Sequence, residues 1–214
     1  IKSNDLTLAQ KISRFSSSQN QNLLSMLNIK YIFSSFKIPR LRQDFGMQAN
    51  FKIIYETTAT EKNIPVYIYE NPKAMPRIYF AKNVKFISVN DAFDELLKVK
   101  DFHDLTLIEC NKNCLESKLL MSDINSFPMS AINISKFESQ LVEIKTKSQG
   151  QWLIYSDANL PTWEAYVDGR NIPIYTANYL FKSVFVPKGE HEVMFRYPNL
   201  WGQFKYAIGN FIAK

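Results

Sequence analysis

Between Gln151 and Pro198 the chain reads QWLIYSDANLPTWEAYVDGRNIPIYTANYLFKSVFVPKGEHEVMFRYP, short apolar or alternating segments cut by Asn-Leu-Pro, Asp-Gly, Asn-Tyr and Pro-Lys-Gly. Alternation over about five to seven residues between such turn formers marks antiparallel strands, because successive side chains point to opposite faces of a sheet. Asp168-Gly169 supplies the positive φ angles of a tight hairpin. Residues 137–146, 151–156, 163–168, 172–175, 182–187 and 191–197 give about six strands, enough for an antiparallel, jelly-roll-like sandwich.

The first half mixes periods. Leu8, Ile12 and Phe15 recur at helical spacing after Asp5, and Leu23, Leu24 and Leu27 form a second stripe. Residues 31–34 read as a buried strand, 39–50 as a polar loop or a variable insertion, and 51–56 with 65–70 as a hairpin. Residues 77–81 and 84–88 are extended, Asn90 caps a helix over 91–100 with Phe93, Leu96 and Leu97 on one face, and 105–109 is a strand. That order predicts a small N-terminal α/β unit over 1–125, followed across a polar boundary by the β-sandwich over 126–200, an α+β chain as a whole. Residues 201–214 are aromatic and turn apolar, which reads either as the lead-in to a transmembrane helix or as a last element packed on the sandwich. The start at Ile1, without a basic segment or hydrophobic signal core, reads as a piece of a larger protein, and no run reaches the roughly 20 apolar residues of a membrane span.

A hydrophobic content of 46% in 214 residues provides for one large or two small cores. The net charge of +6 is scattered and gives no basic stripe, so no nucleic-acid partner is expected. The weak positive balance would suit a domain near anionic lipid headgroups or lipid-phosphate sugars, but scattered surface lysines with no target are the preferred explanation.

Catalytic motifs are absent. A hydrolytic triad would need His103 or His191, and neither accompanies a Gly-x-Ser-x-Gly elbow. The six glycines are dispersed, so no phosphate loop forms and no cofactor is expected. Asp157, Glu164 and Asp168 are the carboxylates to consider for glycoside chemistry, yet a loop, a strand's solvent face and the hairpin turn account for them. Cys110 and Cys114 are the only cysteines. A disulfide between them would suit an oxidising compartment, although four-residue spacing on a rigid helix gives poor geometry. With only His103 nearby, no metal site is expected. Asn133-Ile134-Ser135 fits a glycosylation sequon, which carries no weight by itself.

Aromatic residues make up 14% of the chain, and Trp152, Tyr155, Trp163, Tyr166, Tyr175 and Tyr179 crowd together. Such rings build cores, each burying ~150 to 250 Å², and exposed ones stack on sugar faces. In the strand around Trp163, alternation sends Trp163, Ala165 and Val167 inward and Tyr166 outward, so Tyr166 and Tyr179 are the candidates for surface stacking, with Asp157 beside them as a hydroxyl partner.

The residues Ser156-Asp157, Leu160-Pro161-Thr162-Trp163-Glu164-Ala165-Tyr166-Val167-Asp168-Gly169-Arg170, Pro173-Ile174-Tyr175, Ala177-Asn178-Tyr179 and Val186-Pro187-Lys188-Gly189-Glu190-His191 resemble the C-terminal extracytoplasmic domain of the bacterial YfhO family of membrane proteins. Leu23-Leu24-Ser25-Met26-Leu27-Asn28-Ile29-Lys30-Tyr31-Ile32 and Tyr69-Glu70-Asn71-Pro72-Lys73-Ala74-Met75-Pro76-Arg77-Ile78-Tyr79 resemble an upstream block of the same region. The family more often has Pro-Gly-Trp where this chain has Pro161-Thr162-Trp163. The resemblance to these many-spanning proteins, themselves similar to GT-C glycosyltransferases, implies a parent protein that moves a sugar from a polyprenyl-phosphate donor onto a cell-envelope glycan. It implies that the acidic residues and metal for transfer lie in the membrane part of the same chain, so that this domain is not itself an enzyme and, on the extracytoplasmic face, holds or orients the acceptor glycan or caps the membrane active site. A purely structural or protein-interaction domain is the alternative, and a free-standing glycan-active enzyme a third. The matching Pro76-Arg77 makes Arg77 either a guanidinium bridge between domains or a contact for glycan or lipid phosphate. Tyr166, Tyr179, Asp157 and Arg77 form the expected glycan-binding set.

Overall fold

The computed structural model describes residues 20–35, 37, 51–59, 64–110 and 131–198. By compactness the chain divides into Ile1–Pro76 with Leu97–His103, and Arg77–Leu96 with Asp104–Lys214. The expected stripe at Leu8, Ile12 and Phe15, the 39–50 loop, the boundary near 125 and the 201–214 segment lie outside the described residues.

In the first unit helix α1 (Asn20–Met26) precedes strand β1 (Tyr31–Ser34). Strands β2 (Lys52–Ala59) and β3 (Ile64–Glu70) pair antiparallel, as the two β-rich segments predict, and complete a sheet in the order β1-β3-β2. Alternation along β3 buries Tyr67 and Tyr69 with Phe51 on one face, where Leu24 of α1 and Ile32 pack. Asn71, just past β3, fastens the helix. Its Nδ2 donates to Ser25 Oγ at 3.1 Å and to the Ile29 carbonyl at 3.0 Å, and its Oδ1 accepts from Gln21 Nε2 at 3.0 Å.

The second unit contains β4 (Ile78–Phe80), β5 (Asn83–Ile87), a 3-10 turn (Val89–Asp91), α2 (Ala92–Leu96), β6 (Leu105–Glu109), β7 (Ala131–Phe137), β8 (Leu141–Ala158), β9 (Glu164–Val167), β10 (Arg170–Ile172), β11 (Tyr175–Ala177) and β12 (Phe181–Arg196). Among the described residues these nine strands form one hydrogen-bonded sheet, so the chain is β-rich with few helices. Its spine is the long antiparallel pair β8 and β12, running from Phe181 opposite Ala158 to Arg196 opposite Leu141. One half-sheet adds β11, β6 and β5 beside the start of β12 and β4 beside the end of β8; the other adds β9 and β10 beside the end of β12 and β7 beside the start of β8.

Two expectations shift. Residues 78–109, grouped by their strand-helix-strand order with the N-terminal unit, give β4, β5 and β6 to the large sheet, where β5 and β6 run parallel. Gln149-Gly150 and Pro187-Lys188-Gly189, which punctuate like turns, sit inside continuous strands. Gly150 and Gly189 take φ of 86° and 136°, angles that bend a strand without ending it. Pro187, with no N–H to donate, falls opposite Gly150 between the Val186–Gln151 and Lys188–Gln149 pairs. Ser148 Oγ donates to the Val186 carbonyl at 2.9 Å and accepts from Gly150 N at 3.0 Å, so the bend's backbone groups are satisfied.

The core draws on both halves. Val142, Ile144, Ala165, Val167, Val193 and Phe195 from one and Ile78, Leu153, Tyr155, Val184 and Val186 from the other form a single buried cluster. Beyond Gly150 both faces of β8 are covered, and Trp152 to Tyr155 are buried in succession. The Trp152 ring meets Phe86, Tyr175 and Phe185 edge to face at 5.8, 5.2 and 5.8 Å. Helix α2 is shorter than the predicted 91–100, and Ser88, accepting from Asn90 N at 3.1 Å, caps the turn that leads into it.

Candidate functional site

Cross-strand register lays out the solvent face of the half-sheet β7-β8-β12-β9. Tyr166, Met194 and Glu143 form one lateral row and Glu192, Lys145 and Asn133 the next, each pointing away from the buried rows that include Val193 and Ile144. Tyr166, Met194, Glu143, Glu192 and Lys145 line a groove of about 460 Å³ together with Ser135 and Gly169. Tyr166 is held in place. Its hydroxyl donates to Glu164 Oε2 at 2.9 Å, Arg196 Nη2 donates to the same hydroxyl at 2.9 Å, and the Arg196 guanidinium lies 5.2 Å from the ring centre. Arg196 Nη2 also reaches Glu164 Oε2 at 2.6 Å, and this charge-assisted bond is the main reason that the Glu164 carboxyl sits below its usual range and the guanidinium above its own. Lys145 and Glu192 pair at 3.3 Å and Lys147 and Glu190 at 3.8 Å, so the face is polar and charge-balanced.

A neighbouring recess of about 390 Å³ shares Lys145 and Glu192 and adds Asp168 and His191. Asp168 heads the predicted hairpin, with φ of 50° before Gly169 at 76°. Its Oδ2 bonds His191 Nδ1 at 2.7 Å and its Oδ1 accepts from Glu192 N at 2.9 Å, which together hold its carboxyl below the usual range. The carboxylates weighed for glycoside chemistry thus each have structural partners: Glu164 has Arg196, Asp168 has His191, and Asp157 has Lys182.

Arg77 and Asp157 come together in the other half-sheet. Arg77 Nη2 lies 4.0 Å from Asp157 Oδ1 and its guanidinium 5.4 Å from the Phe137 ring, so it links the segment before β4 to β7 and β8. On the far side of Asp157 stands Lys182, wholly buried, with Nζ at 2.9 Å from Asp157 Oδ2 and 2.6 Å from the Ala158 carbonyl. Its ammonium is 4.0 Å from the Trp163 ring centre and 4.9 Å from that of Tyr155. Burial pushes the Lys182 ammonium below its ordinary pKa, against the opposing pull of Asp157. Burial and the Asp157 charge push the Tyr155 hydroxyl up. Sequence reading passed over Lys182, whose signal is a lone cation inside the apolar run Leu180-Phe181-Lys182-Ser183-Val184.

Tyr179 is apart from Tyr166, in the turn between β11 and β12, with φ of 71° and 52% exposure. Its ring meets Phe93 of α2 edge to face at 5.6 Å. Trp163 is half-buried against the core beside Tyr155 and Tyr197, and Tyr166 is half-buried rather than fully outward. Thr162 has no positive φ, so its backbone makes no demand for glycine. Cys110 follows β6 directly and is disulfide-bonded.

A family model for the bacterial membrane protein YfhO matches residues 98–206, half of the chain. The chain belongs to the YfhO family. The matched span takes in the groove, Asp157, Lys182 and Cys110, while Arg77 lies before it. No curated protein and no solved structure matches the chain. Among the described residues no helix is long and apolar enough to cross a membrane, and no group of three or more His, Cys, Asp or Glu gathers in a way that could hold a metal ion. YfhO is a family of membrane proteins, so what is described here is a β-rich portion of one.

Proposed function

We propose that this chain is an extracytoplasmic domain of a YfhO membrane protein and that it holds a cell-envelope glycan in the groove beside Tyr166. The parent protein would carry out glycosyl transfer from a polyprenyl-phosphate sugar in its membrane part, and this domain would present the acceptor without being an enzyme itself. The observation that carries the reading is the groove of about 460 Å³, where a ring pinned by Glu164 and Arg196 adjoins Ser135, Glu143, Lys145 and Glu192. A fixed aromatic face beside many donors and acceptors, with charges balanced, suits an uncharged polyhydroxylated ligand better than a polyanion. The disulfide at Cys110 supports the extracytoplasmic setting, since such bonds persist where the compartment is oxidising. Two half-sheets around one cluster support reading the large sheet as a folded sandwich.

Titrating the 214-residue chain with a panel of envelope glycans in a calorimeter tests the reading. Saturable binding that weakens by about tenfold or more in Tyr166→Ala, a loss typical of an aromatic anchor, while Tyr179→Ala leaves it unchanged, is the expected result. A panel without any binder, or equal affinity in Tyr166→Ala, favours a structural or protein-interaction domain.

A further inference from the structure

The first unit has a second surface whose chemistry differs from the groove. Pairing in the three-stranded sheet places Tyr31, Glu70 and Lys52 in one lateral row and Phe33, Ile68 and Tyr55 in the next, on the face opposite buried Tyr67 and Tyr69. Val66 and Ile64 continue that face along β3. It is bare: Phe33 is 70% exposed, Tyr55 54%, Tyr31 47% and Ile64 44%. Lys30 is exposed with its ammonium 5.4 Å from the Tyr31 ring centre.

Charge is distributed unequally. Of the 26 basic and 20 acidic residues, twelve and six fall in the first unit, so the second holds fourteen of each and the whole net charge of +6 belongs to the unit with the bare face. We infer that this face of the first unit seats on an anionic lipid surface, with Phe33, Tyr55 and Tyr31 entering the headgroup layer and Lys30 and Lys52 meeting lipid phosphates. Exposed rings flanked by long cationic side chains are what a membrane interface accommodates, the rings at headgroup depth and the ammonium groups in water. A protein partner would require no net charge from the unit, and membership of a membrane-protein family puts a bilayer within reach.

Flotation of the chain with vesicles tests this. The chain should float with vesicles of about one-third phosphatidylglycerol in phosphatidylcholine, far less with phosphatidylcholine alone, and progressively less as salt rises. Phe33→Ser/Tyr55→Ser, which alters exposed side chains only, should weaken binding by about tenfold or more. Tyr166→Ala should float like the parent, which separates this surface from the glycan groove. No flotation with the anionic vesicles, or equal flotation of the double variant, overturns the inference. A concentration-dependent dimer that the double variant abolishes, without flotation, also overturns it and assigns the face to protein contact.

Discussion

Single residues in this chain are constrained most tightly where charge is buried. Lys182 has no exposed surface, and among the described residues Asp157, the Ala158 carbonyl and two ring faces compensate its ammonium. Removing the anion strands the cation, whereas removing the cation leaves Asp157 still facing Arg77. Asp157→Ala is therefore expected to lower stability by about 3 kcal/mol and Lys182→Met by about 1 kcal/mol or less, measured by urea unfolding. Tyr79 is buried, and burial pushes its hydroxyl well above the ordinary value of 10.0, against hydrogen bonds from Thr106 and Asn178. Below that value the group is neutral in both states. Above it the unfolded chain ionises and the folded one does not, so stability falls as pH rises through 10.0. Tyr79→Phe should cost about 1 kcal/mol at neutral pH and flatten that alkaline decline, seen in thermal midpoints across pH 8 to about 11. The burial of Tyr79 leaves no mark in the sequence and that of Lys182 only its place as a lone cation in a mostly apolar run, because burial of a lysine or tyrosine depends on which strands cover it.

At the level of elements, local pattern located most strands and misjudged their continuity. Alternation in residues 163–168 and the Asp168-Gly169 turn specified β9, its face and its hairpin, since period and turn chemistry are local properties. Gly150 and Pro187-Lys188-Gly189 carry the same local signature as turns, but pairing between β8 and β12 along their length outweighs it. The bend has its own test. A Cβ at Gly150 would sit 3.9 Å from Lys188 N and from the Phe185 ring, so space is adequate and only the φ of 86° opposes a side chain. Gly150→Ala should cost about 1 kcal/mol in chemical unfolding, a modest figure because no clash adds to the backbone term. Loss of several kcal/mol would mean that the strand cannot bend with alanine at all.

Over the whole molecule, the pattern of alternating segments and turn residues foretold a β-rich α+β chain and the resemblance foretold the family, but the division of labour between units was not readable in advance. The positive charge looked scattered along the sequence and gathers in one unit only once the chain is divided by compactness. The candidate residues separate likewise: Arg77 and Asp157 meet, while Tyr166 and Tyr179 occupy different half-sheets, since sequence neighbours on β9 and β11 pair with opposite ends of β12. Glu143, Lys145 and Glu192, which line the groove with Tyr166, are ordinary solvent-face residues of alternating strands and gain significance only through register. The most direct measurement is nitrogen-15 shift mapping of the labelled chain during titration with an envelope glycan that it binds. Perturbations should concentrate at Tyr166, Glu143, Lys145, Glu192 and Ser135. Shifts confined to other surfaces, or a spectrum that no glycan moves, would contradict the account.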